Sequence, residues 1–417
     1  MKAKSIKLQN FRNYKSCVVD FQPGKNIVIG DNAQGKTNLL EAADLFSTAR
    51  SSRASEDREL VLWGATQARA EMHFETGNYD GVLQIDWTLK EPSSPGGSGR
   101  CQKTIKVNGV TQSSVKGLLG RIITVSFSSN DMRILRSGPK HRRDWLDDIA
   151  VRLKPSFHDT ISSYAKTVMQ RNKLLKRLAE KGRLGVEEQD ELLVWDRQLA
   201  KYGTYLIKAR LKLLEKLLPI AEEHQSQLSS AKEKLSIDYA FRAQEEATES
   251  GSSSSDEEQQ DANDLPLKSM EELQLMENVE LAHLLLKLMK DRRWLELRRK
   301  QSLVGPHRDN LIFKINGASA VAYASQGQQR SIVLSLKMAE LRMVSEHIGE
   351  APILLLDDVL AELDEKRAAL LLSAVTGDMQ TIMSTTHLSA IEESWLAGAQ
   401  IMTVAAGELR TPDPLIK

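Results

Sequence analysis

Residues 30–37 read GDNAQGKT and fit the pattern G-x-x-x-x-G-K-[ST] through Gly30, Gly35, Lys36 and Thr37. The backbone N–H groups of such a loop and its lysine ammonium bind the phosphates of a nucleotide. The apolar residues 27–29 predict a buried strand before the loop, and residues 38–46 predict a helix after it. This context favours a functional phosphate-binding loop over a chance match. A carboxylate for Mg²⁺ is still needed, and the next hundred residues offer none that is suitable.

The missing carboxylate is predicted more than three hundred residues later, in PILLLDDVLAELD (352–364). Its apolar residues 353–356 predict a buried strand that ends at Asp357 and Asp358. Ligands of open parallel sheets bind beyond the carboxyl ends of strands. If this strand neighbours the one before the loop, Asp357 approaches an ion held by Thr37. Strand alternation would point Asp358 the other way, where it could orient an attacking water. Without the loop, a buried strand ending in a solvated turn explains these residues equally well.

A second helix start is predicted in ASQGQQRSIVLSLKMAEL (324–341). Ser325 is a good N-cap, and Gly327 lets the backbone approach a ligand. A helix N-terminus with free N–H groups attracts phosphate. Because the first loop already has its own site, we expect Ser325, Gly327 and Gln328 to serve another molecule's nucleotide. An ordinary capped helix is the alternative, and physical reasoning does not separate the two. The stretch MQTIMSTTHLS (379–389) predicts a strand that finishes in Thr385, Thr386 and His387. His387 could reach a γ-phosphate, although a lone histidine at a strand end is more often incidental.

The chain around these motifs has the composition of a soluble globular protein of two or three domains. It has 417 residues, 41% of them hydrophobic and 27% charged, and no apolar run near the length of a membrane helix. Two cysteines suggest a reducing cytosol rather than a disulfide framework. The net charge is +1, but eight acidic and no basic residues lie between 243 and 266. Removing them leaves 1 + 8 = +9, which permits a polyanionic partner.

Periodicity divides the chain into strand-rich and helix-rich regions. Alternating apolar residues predict strands near the N-terminus and an antiparallel lobe over 68–125, with a hairpin at Asn108-Gly109. Apolar spacing of three or four over 140–234 predicts a helical arm, which also carries clustered basic residues. A further helix is predicted over 269–299. The acidic, low-complexity segment 244–264 is predicted to be disordered.

The order of these motifs looks like that of an ABC-type ATPase head, and specific blocks resemble the bacterial RecF recombination-mediator family. The blocks follow the family order and span nearly the whole chain: LQNFRNYKSCVVDFQPGKNIVIGDNAQGKTNLLEAADLFSTARSSR, GPKHRRDWLD, VWDRQLAKYG, GPHRDNL, SQGQQR and PILLLDDVLAELD. The resemblance implies an α/β P-loop ATPase head with an antiparallel β lobe and an inserted helical arm. The expected domains are an N-terminal portion of the head (1–137), the arm (138–300) and a C-terminal portion of the head (301–417).

The resemblance also implies a function in DNA repair and replication. Such a protein is cytoplasmic, binds ATP and Mg²⁺, forms an ATP-dependent homodimer and binds single-stranded or duplex DNA, including gap junctions. With RecO and RecR it helps to load RecA at single-strand gaps, and it supports SOS induction. A weak, DNA-stimulated ATPase would act as a switch. No membrane partner is expected.

Site roles follow from the resemblance position by position. The nucleotide would be bound by Gly30, Asp31, Asn32, Ala33, Gln34, Gly35, Lys36, Thr37 and Asn38. Lys36 would contact the β- and γ-phosphates, and Thr37 and Asp357 would hold Mg²⁺. Asp358 would polarise water where many ABC enzymes have glutamate, and its shorter reach fits slow hydrolysis.

The remaining roles concern the dimer. Ser325, Gly327 and Gln328 would cap the γ-phosphate bound by the partner subunit, and Asp364 would lie at the dimer seam. His387 would sense the γ-phosphate. Arg50 and Arg53 either neutralise phosphate charge or form a solvated basic turn.

Two features depart from the family pattern. Ser129 and Asn130 replace the usual Pro-Glu before the GPKHRR stretch, which puts coupling between nucleotide and arm in question. The acidic insert is not a family feature.

An ATPase subunit of a membrane transporter is the alternative function. The helical region of such subunits is usually far shorter than the one here, and GPHRDNL has no place in them. A P-loop kinase or nuclease would make the SQGQ helix start a coincidence.

Overall fold

The structure, a computed structural model, describes residues 1–77, 79–90, 100–181, 185–241, 268–375, 379–388, 391 and 393–410. The predicted disordered segment 244–264 lies outside the described residues. So does the stretch PSSPGGSG (92–99), whose composition predicts a flexible loop tip. No helix in the described portion of the chain is both long and apolar enough to cross a membrane.

The first half of the chain contains most of the strands and the longest helices. In chain order these are β1 (Lys2–Phe11), β2 (Tyr14–Asp20), β3 (Lys25–Ile29), α1 (Lys36–Thr48), β4 (Gln67–Glu75), β5 (Asp80–Lys90), β6 (Arg100–Val107), β7 (Val110–Thr111), β8 (Thr124–Ser128), α2 (Arg133–Arg136), α3 (Pro139–Leu153), α4 (Phe157–Lys181) and α5 (Val186–Ser229).

The second half alternates short strands with helices. It contains β9 (Leu235–Ala240), α6 (Met270–Leu275), α7 (Asn278–Asp291), α8 (Arg293–Arg299), β10 (Asn310–Ile315), β11 (Ala318–Ser319), α9 (Ala320–Tyr323), α10 (Gln326–Ile348), β12 (Ile353–Asp357), α11 (Glu365–Ser373), β13 (Thr381–Thr385), α12 (Glu393–Leu396), β14 (Gln400–Ala405) and β15 (Glu408–Arg410).

The described residues group into two compact units. One comprises residues 1–131, 151–155 and 336–417, and the other comprises 132–150 and 156–335. The predicted domain boundaries after residues 137 and 300 remain a prediction.

The first unit contains a largely parallel sheet and an antiparallel sheet. The parallel sheet has the order β15-β14-β3-β13-β12-β8, in which only β15 pairs antiparallel. Its central strands are almost fully buried, as expected for a parallel sheet. The antiparallel sheet has the order β2-β1-β4-β5-β6-β7. The predicted hairpin at Asn108-Gly109 joins β6 and β7, and both residues have the positive φ that its turn requires.

The second unit contains the helices α4 and α5, which confirm the predicted helical region, and a small sheet of order β11-β10-β9. The prediction of one helix over 269–299 is wrong, because the structure has three helices there. Lys208 of α5 donates hydrogen bonds to the carbonyl oxygens of Leu273, Gln274 and Met276. These are carbonyls at the end of α6 that a continuing helix would use itself. The predicted α/β fold with an antiparallel lobe and a helical insertion is confirmed.

Candidate functional site

The phosphate-binding loop connects β3 to α1, and its two glycines occupy positions that no other residue fits. Gly35 has φ 123°, and a Cβ there would lie 2.8 Å from the side chains of Asn13 and Tyr14. A Cβ on Gly30 would lie 2.4 Å from the carbonyl oxygen of Val404 on β14. The loop is therefore tightly enclosed by neighbouring chain, which limits it to glycine at both ends.

Hydrogen bonds hold the remaining loop residues in place. The Gln34 carbonyl accepts from the Asn13 side chain at 2.9 Å, and the Gln34 side chain accepts from the Ala406 N–H at 2.6 Å. The Tyr14 hydroxyl donates to the Gly35 carbonyl at 2.9 Å. Asp31, Asn32 and Ala33 form the exposed tip, and Ala33 has φ 64°. The loop is thus anchored at both ends and open at its tip, a preformed shape suited to a phosphate chain.

Lys36 begins α1 and points its ammonium back into the loop. Its side chain is almost fully buried, and Nζ donates to the Gly30 carbonyl at 2.7 Å. Asp358 Oδ2 lies 3.6 Å from the same nitrogen. A buried ammonium beside N–H groups of a helix N-terminus concentrates positive charge where a triphosphate would lie.

Thr37 and Asp357 come together as predicted, but the predicted arrangement of strands is wrong. The Thr37 hydroxyl donates to Asp357 Oδ1 at 2.9 Å, and the Ser384 hydroxyl donates to the same oxygen at 2.7 Å. β3 and β12 are not neighbours, since β13 lies between them and supplies Ser384. Helix α1 nevertheless packs against both β12 and β13. Burial raises the pKa of the Asp357 carboxyl, and the Ser384 and Thr37 hydroxyls act in the opposite direction.

Asp358 is not within the strand, so strand alternation does not set its direction. It has φ 51°, a left-handed conformation that aspartate tolerates better than most residues. Its N–H donates to Ser384 Oγ at 3.0 Å, and its carboxylate faces Lys36. Its Oδ1 is buried and has no hydrogen-bond partner among the residues that the structure describes. An orphaned carboxylate oxygen beside the phosphate loop can accept a proton from a water.

These residues fit Mg²⁺ only together with a nucleotide. Oxygen donors from Thr37 and Asp357 lie side by side, as a hard cation prefers, and the unpartnered Asp358 oxygen is adjacent in sequence. Among the described residues, no cluster of three or more histidine, cysteine or carboxylate side chains could hold a metal without help. Mg²⁺ commonly takes one or two carboxylates and completes its shell with phosphate and water.

A second set of residues beside α1 includes Arg53, which the sequence suggested, together with Arg12 and Glu41, which sequence reasoning missed. Arg12 Nε and Nη2 donate to Glu41 at 2.9 and 2.7 Å, and Arg53 Nη1 lies 3.3 Å from the same carboxylate. Arg53 also donates to Asn38 Oδ1 at 3.0 Å. Glu41 therefore holds two guanidinium groups beside the phosphate loop. The signal that could have found this set is the arginine of the FRNY stretch (11–14), which precedes the loop in a block typical of the family.

Arg50, the other arginine predicted to neutralise phosphate charge, is exposed. Its carbonyl accepts from the Thr48 hydroxyl at 2.8 Å, at the end of α1. Of the two predicted arginines, Arg53 is thus the one that the structure brings to Glu41.

The cleft next to Thr37 and Asp357 includes one of the residues that depart from the family pattern. Asn130 lines it together with Ser128 and Arg53. The neighbouring Asp131 accepts from the Ser128 N–H at 2.7 Å, and burial raises the pKa of Asp131 to about 6. Of the two departures, Asn130 thus lies beside Thr37 and Asp357.

The predicted second helix start lies in the other compact unit and is capped as expected. Ser325 Oγ accepts from the Gln328 N–H at 3.2 Å, and Gln328 Oε1 accepts from the Ser325 N–H at 2.8 Å. This reciprocal pair is a capping box at the start of α10. Because Oγ accepts from the helix, the hydroxyl proton of Ser325 can be donated outward. Gly327 lies in the first turn, where Ser331 donates to its carbonyl at 3.1 Å.

Asp364 and His387 are exposed and have local contacts. Asp364 caps α11 by accepting from the Arg367 N–H at 2.9 Å, and it also pairs with the Arg367 guanidinium. His387 follows β13, and its N–H donates to Thr385 Oγ1 at 3.3 Å. The Gly30 N–H donates to the Thr385 carbonyl at 3.4 Å, so His387 lies two residues beyond a direct contact with the phosphate loop.

Comparison with known proteins gives a consistent answer. The model of the family described as RecF/RecN/SMC N terminal domain matches residues 2–407. The DNA replication and repair protein RecF of Cyanothece sp. is 38% identical over 407 residues, covering 98% of this chain and 97% of the relative. That of Gloeobacter violaceus is 37% identical over 409 residues, covering 98% of each.

Solved structures give the same answer. A solved structure of the recombination mediator protein RecF-ATP in the RecFOR pathway superposes on this chain with a TM-score of 0.81 at 31% identity. It covers 99% of this chain and 97% of the other. A corresponding RecF-ATPrS structure gives a TM-score of 0.80 at 31% identity, covering 99% and 98%. The chain therefore belongs to the RecF/RecN/SMC N-terminal-domain family and, within it, to the RecF family of DNA replication and repair proteins.

Proposed function

We propose that this chain is an ATP-gated, DNA-binding homodimer that acts in recombinational repair and replication. In this proposal ATP and Mg²⁺ bind at the phosphate loop of one subunit, and the SQGQ helix start of a second subunit closes over the γ-phosphate. The dimer binds DNA at single-strand gaps in the cytoplasm, works with RecO and RecR to load RecA and supports SOS induction. Slow, DNA-stimulated hydrolysis opens the dimer.

The observation that carries the proposal is the hydrogen bond between Thr37 and Asp357 beside the buried Lys36. It joins the phosphate loop to a carboxylate 320 residues away, at 2.9 Å. A loop that merely resembled the motif would have no reason to meet a carboxylate at the end of another strand of the same sheet. The similar solved structure of RecF-ATP supports nucleotide binding by this chain.

The proposed steps use this chain's own side chains in distinct roles. Lys36 and the loop N–H groups would neutralise the phosphates, and Mg²⁺, when bound, would polarise the phosphoryl oxygens from its place on Thr37 and Asp357. Asp358 would take up the proton of the attacking water, and His387 would contact the γ-phosphate. Ser325 would donate its hydroxyl proton to the partner's γ-phosphate, and Gln328 would offer it the second N–H of its side-chain amide. Asp364 would lie at the dimer seam.

Basic residues of the helical region would bind the DNA backbone. The sequence clusters five of them, which are Lys173, Lys176, Arg177, Lys181 and Arg183. Lys173 and Lys176 on α4 are exposed. Arg177 and Lys181 are paired with Glu191 and Glu188, and Arg293 is paired with the buried Asp196. Arg183 lies outside the described residues. Exposed cations that do not neutralise neighbouring carboxylates have most charge to offer phosphates, so we propose Lys173 and Lys176 as DNA contacts.

Mixing two inactive variants tests whether the reaction site is shared between subunits. Lys36→Ala disables the loop, and Ser325→Arg places a bulky cation where the partner's phosphate would enter. Each variant alone should have almost no ATPase, because each symmetric dimer then has two defective sites. An equimolar mixture should recover about a quarter of the wild-type rate, since half of the dimers carry one intact site.

The matched control is a mixture of Lys36→Ala with Lys36→Ala/Ser325→Arg, in which no intact site can form. Recovery in the first mixture alone supports the shared site. A first mixture no more active than its components would refute it.

A further inference from the structure

The SQGQ helix start is linked by side chains to the end of the longest arm helix. Gln328 Nε2 donates to Glu233 Oε1 at 2.9 Å, while Gln328 Oε1 accepts from the Ser325 N–H. Glu233 lies in the turn between α5 and β9 and is half-buried. A carboxylate only accepts hydrogen bonds, so it selects the orientation of the Gln328 amide in which Nε2 faces Glu233 and Oε1 faces Ser325.

The connection continues into buried structure and returns to the same helix. Gln225, fully buried on α5, donates from Nε2 to Glu233 Oε2 at 2.6 Å. Gln225 Oε1 accepts from the Ser335 hydroxyl at 2.9 Å. Gln328 and Ser335 are seven residues apart on α10, two turns on one face. The C-terminal end of α5 therefore contacts α10 at two points along one face, through a continuous chain of hydrogen bonds.

This chain of hydrogen bonds is complete enough to fix the orientation of the Gln328 amide, unlike chance contacts at a surface. Both Glu233 oxygens are used, both Gln225 groups are used, and both Gln328 groups are used. Hydrogen bonds to a charged acceptor are about twice as strong as neutral ones, and linked bonds strengthen each other. Without the carboxylate, the Gln328 amide could rotate and the Ser325 N–H would lose its acceptor.

We propose that Glu233 is a positioning residue for the SQGQ helix start: it fixes Gln328, and through it Ser325, in the geometry that receives the partner's γ-phosphate, and it ties that geometry to α5. The inference rests on the shared site of the proposed function. Glu233 itself does not touch the nucleotide.

The experiment measures the dimer dissociation constant by light scattering in Mg²⁺ and ATP for wild type, Glu233→Ala, Glu233→Gln and Ser325→Arg. We expect Glu233→Ala to weaken the dimer at least about tenfold, the effect of losing a charge-assisted hydrogen bond. Glu233→Gln should stay within about threefold of wild type, because Gln225 can turn over and the Ser335 hydroxyl can accept as well as donate.

The matched control is Glu215→Ala, which removes the same charge from an exposed position of α5 and should leave the dimer unchanged. Binding of a fluorescent ATP analogue to dilute monomers should be the same in all Glu233 variants, since their phosphate loops are intact. Hydrogen exchange should be faster in Glu233→Ala for amides 325–331 and unchanged in the parallel sheet, which separates lost positioning from general unfolding.

The outcomes distinguish the two proposals. If wild type dimerises with ATP and Ser325→Arg does not, the shared site stands and Glu233→Ala alone decides the inference. A dimer of Glu233→Ala as tight as wild type, or unchanged exchange at 325–331, overturns it. Absence of ATP-dependent dimers in wild type overturns both proposals.

Discussion

The hydroxyl of Thr37 lies 2.9 Å from a carboxylate oxygen of Asp357, although the two residues are 320 positions apart and their strands are not neighbours. Ser384 of the intervening strand donates to the same oxygen. The carboxylate is therefore oriented before any cation binds. Such preorganisation lowers the cost of placing a metal beside the phosphates.

Replacing Asp357 with asparagine should remove the metal-dependent component of ATP binding. Asparagine keeps the shape and an acceptor for Thr37 and Ser384 but removes the negative charge that attracts Mg²⁺. We expect ATP affinity measured by calorimetry in Mg²⁺ to fall by about tenfold or more, whereas affinity in excess chelator should match that of wild type. Equal losses with and without Mg²⁺ would contradict a metal role and indicate a misfolded loop.

Asp358→Asn should nearly abolish hydrolysis and leave nucleotide binding intact. Asparagine tolerates the left-handed backbone at this position, so the fold should not suffer. Loss of a general base typically costs about a hundredfold or more in rate. Phosphate release in single-turnover conditions is the measurement, and ATP-dependent dimers should persist longer in the variant.

The companion variant Asp358→Glu tests whether the short side chain of aspartate limits how closely its carboxylate approaches the attacking water. Glutamate is the residue that many ABC enzymes have here. Glutamate fits the left-handed backbone at this position less well than aspartate, so the comparison is made on protein that binds ATP with wild-type affinity. Such protein should hydrolyse ATP at least as fast as wild type if a short carboxylate limits the rate. A rate as low as that of Asp358→Asn, with ATP affinity unchanged, would count against this explanation.

The local elements of this site were predictable from sequence, and the contacts between distant elements were only partly so. Glycine spacing and apolar runs indicate the loop, α1 and the strand before Asp357, because these depend on neighbouring residues. The insertion of β13 between β3 and β12 depends on sheet order, which periodicity does not contain. Strand alternation does not predict the direction of Asp358, because this residue lies just after β12 in a left-handed conformation. Aspartate permits that conformation but does not require it, so the sequence does not indicate it.

The ion pairs were the least predictable feature. Glu41 follows the loop as one of several charged residues of an amphipathic helix, and nothing in its spacing distinguishes it from a solvated one. Its role depends on Arg12 and Arg53, which the folded chain brings to it from either side. Glu233 is likewise inconspicuous in a sequence rich in glutamate, and only its contacts with Gln225 and Gln328 single it out.

Glu41→Gln should destabilise the first compact unit because it leaves two guanidinium groups without their charge partner. The Glu41 side chain is 3% exposed and that of Arg12 is 18% exposed, so water compensates little. Breaking a buried pair on one side costs about 3 kcal/mol in the free energy of unfolding. Chemical denaturation measures it, with Glu346→Gln as the control, since the exposed Arg342–Glu346 pair should contribute almost nothing. Equal effects of the two changes would refute the prediction.

Two titrating residues of the GPHRDNL stretch, His307 and Asp309, should have opposite effects on how the free energy of unfolding depends on pH. Burial lowers the pKa of His307 to about 3 and raises the pKa of Asp309 to about 7. Between about pH 6.5 and pH 4 the unfolded chain protonates histidine and the folded chain does not, so His307 makes the protein less stable as pH falls. Over the same range the folded chain protonates Asp309 while the unfolded chain keeps it ionised, so Asp309 makes the protein more stable as pH falls. The two contributions to the change of the free energy of unfolding with pH have opposite signs and largely cancel.

Asp309→Asn should therefore leave the effect of His307 on the pH dependence of stability uncompensated. Asparagine keeps an acceptor for the Tyr239 hydroxyl, which donates to Asp309 at 2.5 Å, but it does not titrate. The free energy of unfolding of the variant should fall more steeply than that of wild type from pH 6.5 to 4.5, by up to about 1.4 kcal/mol per pH unit. Denaturant titrations at several pH values measure this pH dependence.

The control is the double variant His307→Gln/Asp309→Asn, which should lose the added pH dependence. Glutamine can still form hydrogen bonds with the Tyr164 hydroxyl and the Ser302 carbonyl, but it does not bind a proton. Parallel pH profiles for wild type and Asp309→Asn would show that Asp309 is not the compensating group.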